Sequence, residues 1–311
     1  GIEHAILHLL YARFWTRALQ HIGQIDFAEP FASLFTQGMV THETYSRRDP
    51  DNGQRSYYLP EEVERRSDSA VLKADGFPVE IGRVIKMSKS KKNVVDPDTI
   101  IVTRYAEDAV RGFMLLDSPP ERELPWSEAG IEGCWRFVQR LWRLFGQYDG
   151  TATGEDKALL RKLHQTVAAV AEDIEALSFN KAVARLYELA SAIDKAAPSA
   201  TRSHTIRTMA QLVSPMMPHL AEEGWVAMGG QGLVAMAAWP EVDPALLVED
   251  EVTIAIQHKG KLRDTLTVAK GLSQAELEAL ALASANVQRS IDGAPVRKVI
   301  VVPDRLVNIV T

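Results

Sequence analysis

Hydrophobic and polar positions divide the chain into stretches of different texture. At its start, spacings of three and four predict a helix over residues 3–19. Ile2, Ile6, Leu9 and Arg13 fall on one face of it; His4, His8, Tyr11 and Trp15 fall on another. Residues 41–85 change character. A polar, turn-rich run with Asp49-Pro50-Asp51-Asn52-Gly53 leads to short β-like pieces around Tyr57-Tyr58-Leu59 and Val79-Glu80-Ile81. This reads as a small inserted module or an elaborated loop. Helices are then predicted from about Pro97 to Tyr105 and from Ala106 to Leu116.

From Ser127 to about Met228 the pattern is helical throughout. Leu160, Leu163, Val167, Val170, Ile174 and Leu177 recur at spacings of three and four, the stripe of a bundle helix. Val183, Leu186, Ala190 and Ile193 repeat it, as do Ile206, Met209 and Val213, and Pro215 and Pro218 restart the chain into one more helix. Gly229 to Pro244 is a Gly/Pro-rich linker. Beyond it Val252, Ile254 and Ile256 alternate as a half-buried strand, Lys259-Gly260-Lys261 turns, and Leu266 to Val268 returns. Ser273 and Glu276 form a capping box before an Ala/Leu helix, and Val299–Val302 and Leu306–Val310 supply two strands. The result is a small β-β-α-β-β domain.

Composition narrows the classes. With 311 residues, 46% hydrophobic and 24% charged, the chain suits two or three globular domains rather than a disordered or collagen-like polymer. Thirty-five Lys+Arg against 41 Asp+Glu give a net charge of −6, which excludes a globally basic nucleic-acid coat but not a local basic stripe. Cys134 is the lone cysteine, so no internal disulfide framework or Cys-rich zinc site is expected, and a reducing, cytoplasmic setting is the simplest reading. No apolar run reaches the ~18 residues of a membrane span, and neither a membrane partner nor a signal peptide is expected. The chain opens at Gly1 directly on a helical pattern and is read as a part of something larger.

Three features carry candidate chemistry. Lys86-Met87-Ser88-Lys89-Ser90 sets two lysines three apart on a Ser-containing loop. Such a loop can close over a polyphosphate, its ammonium groups offsetting charge on a pyrophosphate leaving group; a solvated basic loop or a Lys-rich targeting signal has the same composition. The His4, His8, Tyr11, Trp15 stripe suits a buried aromatic seam or a pocket wall equally, with a metal pair well behind, since no HExxH is present. On the helix after Gly133, Trp135, Val138, Trp142 and Phe145 form the expected core stripe, with Arg136, Arg140 and Arg143 roughly opposite. An arginine ridge suits an RNA backbone, and equally an ordinary solvated face.

The lysine run is the signature loop of class I aminoacyl-tRNA synthetases, and the surrounding residues resemble the leucyl-tRNA synthetase family. The likeness runs in order along nearly the whole chain: Gly1-Ile2-Glu3-His4-Ala5 with His8 to Tyr11, Thr36 to Val40, Asn93 and Asp96-Pro97, Ser118 to Leu144, Ala210 to Trp225, and Val296 to Pro303. The resemblance implies the second half of a Rossmann-type catalytic domain over residues 1–118, with a leucine-specific insertion at 41–82. An anticodon-binding α-helical bundle would occupy 119–240 and a tRNA-binding α+β domain 246–311. It implies a leucine pocket at Glu3, His4, His8 and Tyr11, and an adenosine site at Gln37, Gly38, Met39 and Val40. Lys86, Met87, Ser88, Lys89 and Ser90 would bind ATP, with Lys86 and Lys89 catalytic and Mg²⁺ arriving with the nucleotide rather than in a protein cage. Arg136, Arg140 and Arg143, with Lys259, Lys261, Arg263, Arg297 and Lys298, are the expected contacts to tRNA(Leu).

The family's His-Ile-Gly-His half and editing domain are expected before Gly1. His21-Ile22-Gly23-Gln24 imitates that motif but follows a helix, and reads as a C-terminal turn capped by Gly23. Two expectations stand together: a ligase activating leucine and charging tRNA in the complete enzyme, and, for the chain alone, an inactive tRNA-binding module or one subunit of a split synthetase needing a separate N-terminal half.

Overall fold

A computed structural model describes residues 4, 6–99, 104–248 and 251–311. The chain divides into two compact units, Gly1–Val242 and Asp243–Thr311.

Helix α1 spans Leu7–His21. Its end follows from Gly23, which takes φ +73°, a left-handed conformation that costs a glycine nothing. The Gly23 and Gln24 amides then donate to the Gln20 and Leu19 carbonyls at 3.0 and 2.9 Å, the crossed pair of a Schellman turn. His21-Ile22-Gly23-Gln24 is therefore a helix terminus. Thr16 is the buried residue of α1, whereas Leu10, Tyr11, Phe14 and Trp15 are each about three-fifths exposed or more. Arg13 and Arg17 both reach Glu29 and hold the following segment to the helix.

Three short strands position the lysine run: β1 (Val40–His42), β7 (Ile85–Lys86) and β8 (Leu124–Pro125), with β1 in the middle, antiparallel to β7 and parallel to β8. Between β1 and β7 the chain builds a five-stranded antiparallel sheet from β2 (Tyr45–Arg48), β3 (Arg55–Tyr58), β4 (Val63–Arg66), β5 (Ser69–Leu72) and β6 (Pro78–Ile81), in the order β3-β2-β6-β5-β4. Tyr45, Val63, Ala70, Leu72 and Val79 give it a core of its own. The pattern alone suggested two β-like pieces, because four-residue strands rich in Arg and Glu offer few apolar positions to count.

The helix expected from Pro97 begins at residues 97–99, and residues 100–103 lie outside the described part. Then follow α2 (Glu107–Leu116), α3 (Glu128–Phe145), α4 (Lys157–Glu175), α5 (Phe179–Lys195), α6 (Ala200–Val213) and α7 (Pro218–Ala227). Ser127, Asp156 and Ser199 each accept an amide hydrogen bond at the start of α3, α4 and α6. Leu163, Val167, Val170, Val183, Leu186, Ala190, Ile193, Ile206, Met209 and Val213 are buried as the periodicity requires. Leu177 instead ends α4 at φ +55° with its side chain partly exposed. Ala109 and Phe113 of α2 and Leu124 share this core, so packing runs straight through the boundary expected at 118/119.

In the second unit β9 (Glu251–His258), β10 (Lys261–Ala269), β11 (Lys298–Val302) and β12 (Leu306–Val310) make a sheet ordered β10-β9-β12-β11, with β12 parallel to β9. Lys259 and Gly260 both have positive φ, the geometry of a two-residue hairpin turn matched to sheet twist. The Ser273–Glu276 capping box opens α8 (Gln274–Ala283), which is followed by a short helix α9 (Ala285–Ile291) that the pattern did not reveal.

Candidate functional site

Sheet and loop chemistry together fix the lysine run. Lys86 ends β7 opposite Thr41 of β1, and the Met87 amide donates to the Val40 carbonyl at 3.1 Å. Lys89–Lys91 make a single 3-10 turn, closed by Lys92 in the left-handed region. Asn93, fully buried, is the anchor. Its Oδ1 accepts from the Ser88 amide at 2.9 Å, while Nδ2 lies within 3.2–3.4 Å of the His42, Ile85 and Lys86 carbonyls. Lys86 and Lys89 stay exposed, Ser88 and Ser90 hydroxyls lie 3.4 Å apart, and Lys91 reaches the Tyr57 hydroxyl of the five-stranded module at 3.0 Å. A solvated loop tied down at its root can present two ammonium groups to an anionic ligand without rearranging the sheet.

Gly38 is required here by close approach. A Cβ on it would lie 1.8 Å from the Arg122 carbonyl oxygen, and its amide donates to the Pro120 carbonyl at 2.8 Å. The Met39 carbonyl accepts from Leu124, so the Gly38–Val40 backbone is committed on one side to the 120–124 segment and on the other, through Val40, to Met87. Gln37 is exposed beside it. Of the expected leucine pocket, Glu3 lies outside the described residues; His4, His8 and Tyr11 are exposed, and the His8 ring centroid stands 6.2 Å from that of Phe31. Nothing among the described residues buries this stripe. No group of three or more potential metal ligands occurs among the described residues.

The arginine ridge is broken by geometry. Arg140 turns to α5, donating to Asp194 at 2.8 Å and Ser191 at 3.0 Å, and becomes a strut between helices. Arg136 pairs with Glu132 one turn back, and Arg143 is exposed with no ion-pair partner among the described residues. The core stripe is also rotated from expectation. Ile131, Cys134, Phe137, Val138, Leu141, Leu144 and Phe145 are buried, whereas Trp135 is half-buried and Trp142 is 48% exposed. In the second unit the five basic residues do come together. The register sets the Lys259-Gly260-Lys261 turn, Arg263 at a bulge in β10, and Arg297-Lys298 at one end of the sheet, all exposed. Beside them His258 is buried, bonded through its two ring nitrogens to the Ser290 and Thr311 hydroxyls.

Sequence reasoning missed the groove between α2, α3 and α7, of about 860 Å³, into which Trp135, Trp142, Arg136 and Arg143 project. Its floor holds Asp108, whose carboxylate accepts from the Leu220 amide at 2.6 Å and contacts His219 Nδ1 at 3.2 Å. Tryptophans at 135 and 142 two turns apart, each followed by an arginine, were the available signal; helical periodicity alone assigned them to the core.

Residues 156–279 match the family described as the anticodon-binding domain of tRNA ligase. Along its whole length the chain is 73% identical to leucine–tRNA ligase of Novosphingobium aromaticivorans and 57% identical to that of Zymomonas mobilis, in each case over 36% of the relative's length. The chain thus spans about a third of the curated relatives it matches, and its similarity is to their C-terminal part. A crystal structure of the Agrobacterium radiobacter K84 agnB2 LeuRS–tRNA–LeuAMS ternary complex superposes on all of it with a TM-score of 0.66 at 27% identity, covering 36% of that chain.

Proposed function

We propose that this chain is the C-terminal portion of a leucyl-tRNA synthetase, and that in the complete enzyme it supplies the lysine loop for leucine activation and surfaces for tRNA(Leu). The carrying observation is the Lys86–Ser90 run held at its root by buried Asn93, within a chain 73% identical to a leucine–tRNA ligase. On this reading the three-stranded sheet is part of a Rossmann-type domain completed by the remaining two-thirds of the enzyme's length. Residues 41–82, which hold the five-stranded sheet, form the leucine-specific insertion.

The chemistry needs no protein nucleophile. A leucine carboxylate oxygen attacks the α-phosphorus of ATP; the bond from that phosphorus to the α,β-bridging oxygen breaks, and pyrophosphate leaves with that oxygen. Lys86 and Lys89 oppose the charge that grows on the departing oxygens, with Mg²⁺ carried in by ATP. A terminal ribose hydroxyl of tRNA then attacks the leucyl carbonyl and AMP departs. His4, ahead of α1, and His8 and Tyr11 on it, all exposed, together with Gln37 and the Gly38–Val40 backbone, line the leucine and adenosine subsites once the other part of the enzyme closes over them. Catalysis is positioning plus charge stabilisation.

Leucine-dependent exchange of labelled pyrophosphate into ATP tests this. The chain is expected to be inactive alone and active after addition of the N-terminal two-thirds of a close relative. Lys89→Ala should then lower exchange by about 10²-fold or more, the scale of losing one group that stabilises transition-state charge. No exchange in the reconstituted pair, with tRNA binding retained, would leave a binding module only.

A further inference from the structure

Between Lys86 and Lys89 the chain turns a corner at Met87, and that corner is held at three points. The Met87 amide donates to the Val40 carbonyl of β1 at 3.1 Å. On either side of it, Asn93 Nδ2 donates to the Lys86 carbonyl at 3.4 Å and Asn93 Oδ1 accepts from the Ser88 amide at 2.9 Å. The same Nδ2 lies 3.2 Å from the carbonyls of His42 on β1 and Ile85 on β7. One side chain, 0% exposed, thus joins both strands to the loop that leaves them. Lys92 makes the return possible. Its φ of +48°, uncommon for a residue bearing a Cβ, folds the chain back so that Asn93 reaches the Ser88 amide.

The residue type matters. An amide accepts and donates from adjacent atoms, and so satisfies a backbone N–H and backbone carbonyls together in a dry position. A carboxylate of the same shape would keep the Ser88 contact but set a charge against three carbonyl oxygens. We propose that Asn93 is a positioning residue for leucine activation: it fixes the span from the Gly38–Val40 backbone to Lys86 and Lys89, and so where the two ammonium groups stand along bound ATP. This deepens the reading proposed above and rests on it. A nucleotide anchored at its adenosine end presents its α,β-bridging oxygen at a set distance. Charge growing on the departing pyrophosphate is opposed only by cations held at that distance. Ground-state binding, spread over the whole nucleotide, tolerates a shift of the loop; stabilisation of the transition state does not. Asn93 therefore acts on kcat, through the lysines, and the leucine subsite at His4, His8 and Tyr11 is no part of its network.

The test follows leucine-dependent pyrophosphate exchange by the 311-residue chain reconstituted with the N-terminal two-thirds of a close relative. Asn93→Ala, shown to be folded by circular dichroism and a cooperative urea transition, should lower kcat by about 10- to 100-fold while the leucine KM stays within about twofold. Asn93→Asp should be impaired at about pH 8 and approach the unaltered protein at about pH 6. A carboxyl buried among carbonyl oxygens titrates above the ordinary carboxylate range, and once protonated it both donates and accepts. A side chain that merely stabilised the fold would produce neither the split between kcat and KM nor this pH profile. Unchanged kcat in folded Asn93→Ala would overturn the proposal. So would a fall in kcat matched by a rise in leucine KM, or loss of the fold in both variants, since each marks a general structural role. Absence of exchange in the unaltered pair would overturn the leucine-activation reading and this proposal with it, whereas a failure of the proposal seen only in the variants leaves that reading standing.

Discussion

Single residues set the lysine loop and the bundle interior. Asn93 satisfies the Ser88 amide and faces three carbonyls from full burial, so Asn93→Ala leaves those groups unpaired and should cost about 1–3 kcal/mol locally. Hydrogen exchange at the Ser88 amide would report it as lost protection, whereas wild-type protection would mean that the loop is held by its strands. Cys134, 1% exposed, has its thiol pushed up to about 11 from an ordinary 9.0, by burial first and the Asp117 charge second. Its neutral form is the folded form, so its contribution is fully present below about pH 9 and is lost as pH rises through about 11. A thiol reagent at pH 8 should therefore react only on unfolding, and melting temperature should fall over that alkaline window. Burial also pushes Tyr45 and Tyr187 up to about 12, which extends the same loss.

Elements approach as closely as their smallest residues allow. Gly224 of α7 faces the Phe145 ring of α3, and an added Cβ would lie 2.3 Å from it. Gly224→Ala should therefore destabilise by about 1–3 kcal/mol in urea unfolding, despite the better helix propensity of alanine. A neutral or stabilising result would show that α7 can slide away from α3. At the end of α1, Gly23→Ala should cost about 1 kcal/mol, because φ +73° is strained for any residue bearing a Cβ.

At the scale of the molecule, the two units differ in how they manage apolar surface. Asp243–Thr311 closes its own core around Ile254, Ile256, Leu277, Val287, Val307 and Ile309. Expressed alone, it should give a cooperative melt and dispersed amide NMR signals; a molten spectrum would show that it depends on the rest of the chain. The first unit leaves Leu10, Tyr11, Phe14, Trp15, Phe27 and Phe31 more than half exposed. Contiguous apolar surface of this kind is covered by a partner in working proteins. The chain alone should accordingly bind a hydrophobic dye, and binding should fall when the N-terminal part of a relative is added.

Local rules in the amino-acid order determined much of this protein. The Gly23 turn, the Ser127, Asp156 and Ser273 caps, the stripes of α4 to α6 and the last hairpin all depend on residues within a turn or two of each other. The family likeness was equally legible, because it rests on a contiguous run at Lys86–Ser90 and its neighbours. Tertiary contacts decided the rest. A period of 3.6 cannot tell a buried tryptophan from one beside a groove, since the difference at Trp142 depends on where α2 and α7 end, more than twenty residues away in either direction. Arg140 left the ridge because Asp194 and Ser191 of α5 lie within reach, a pairing 51 to 54 residues long that only folding brings about.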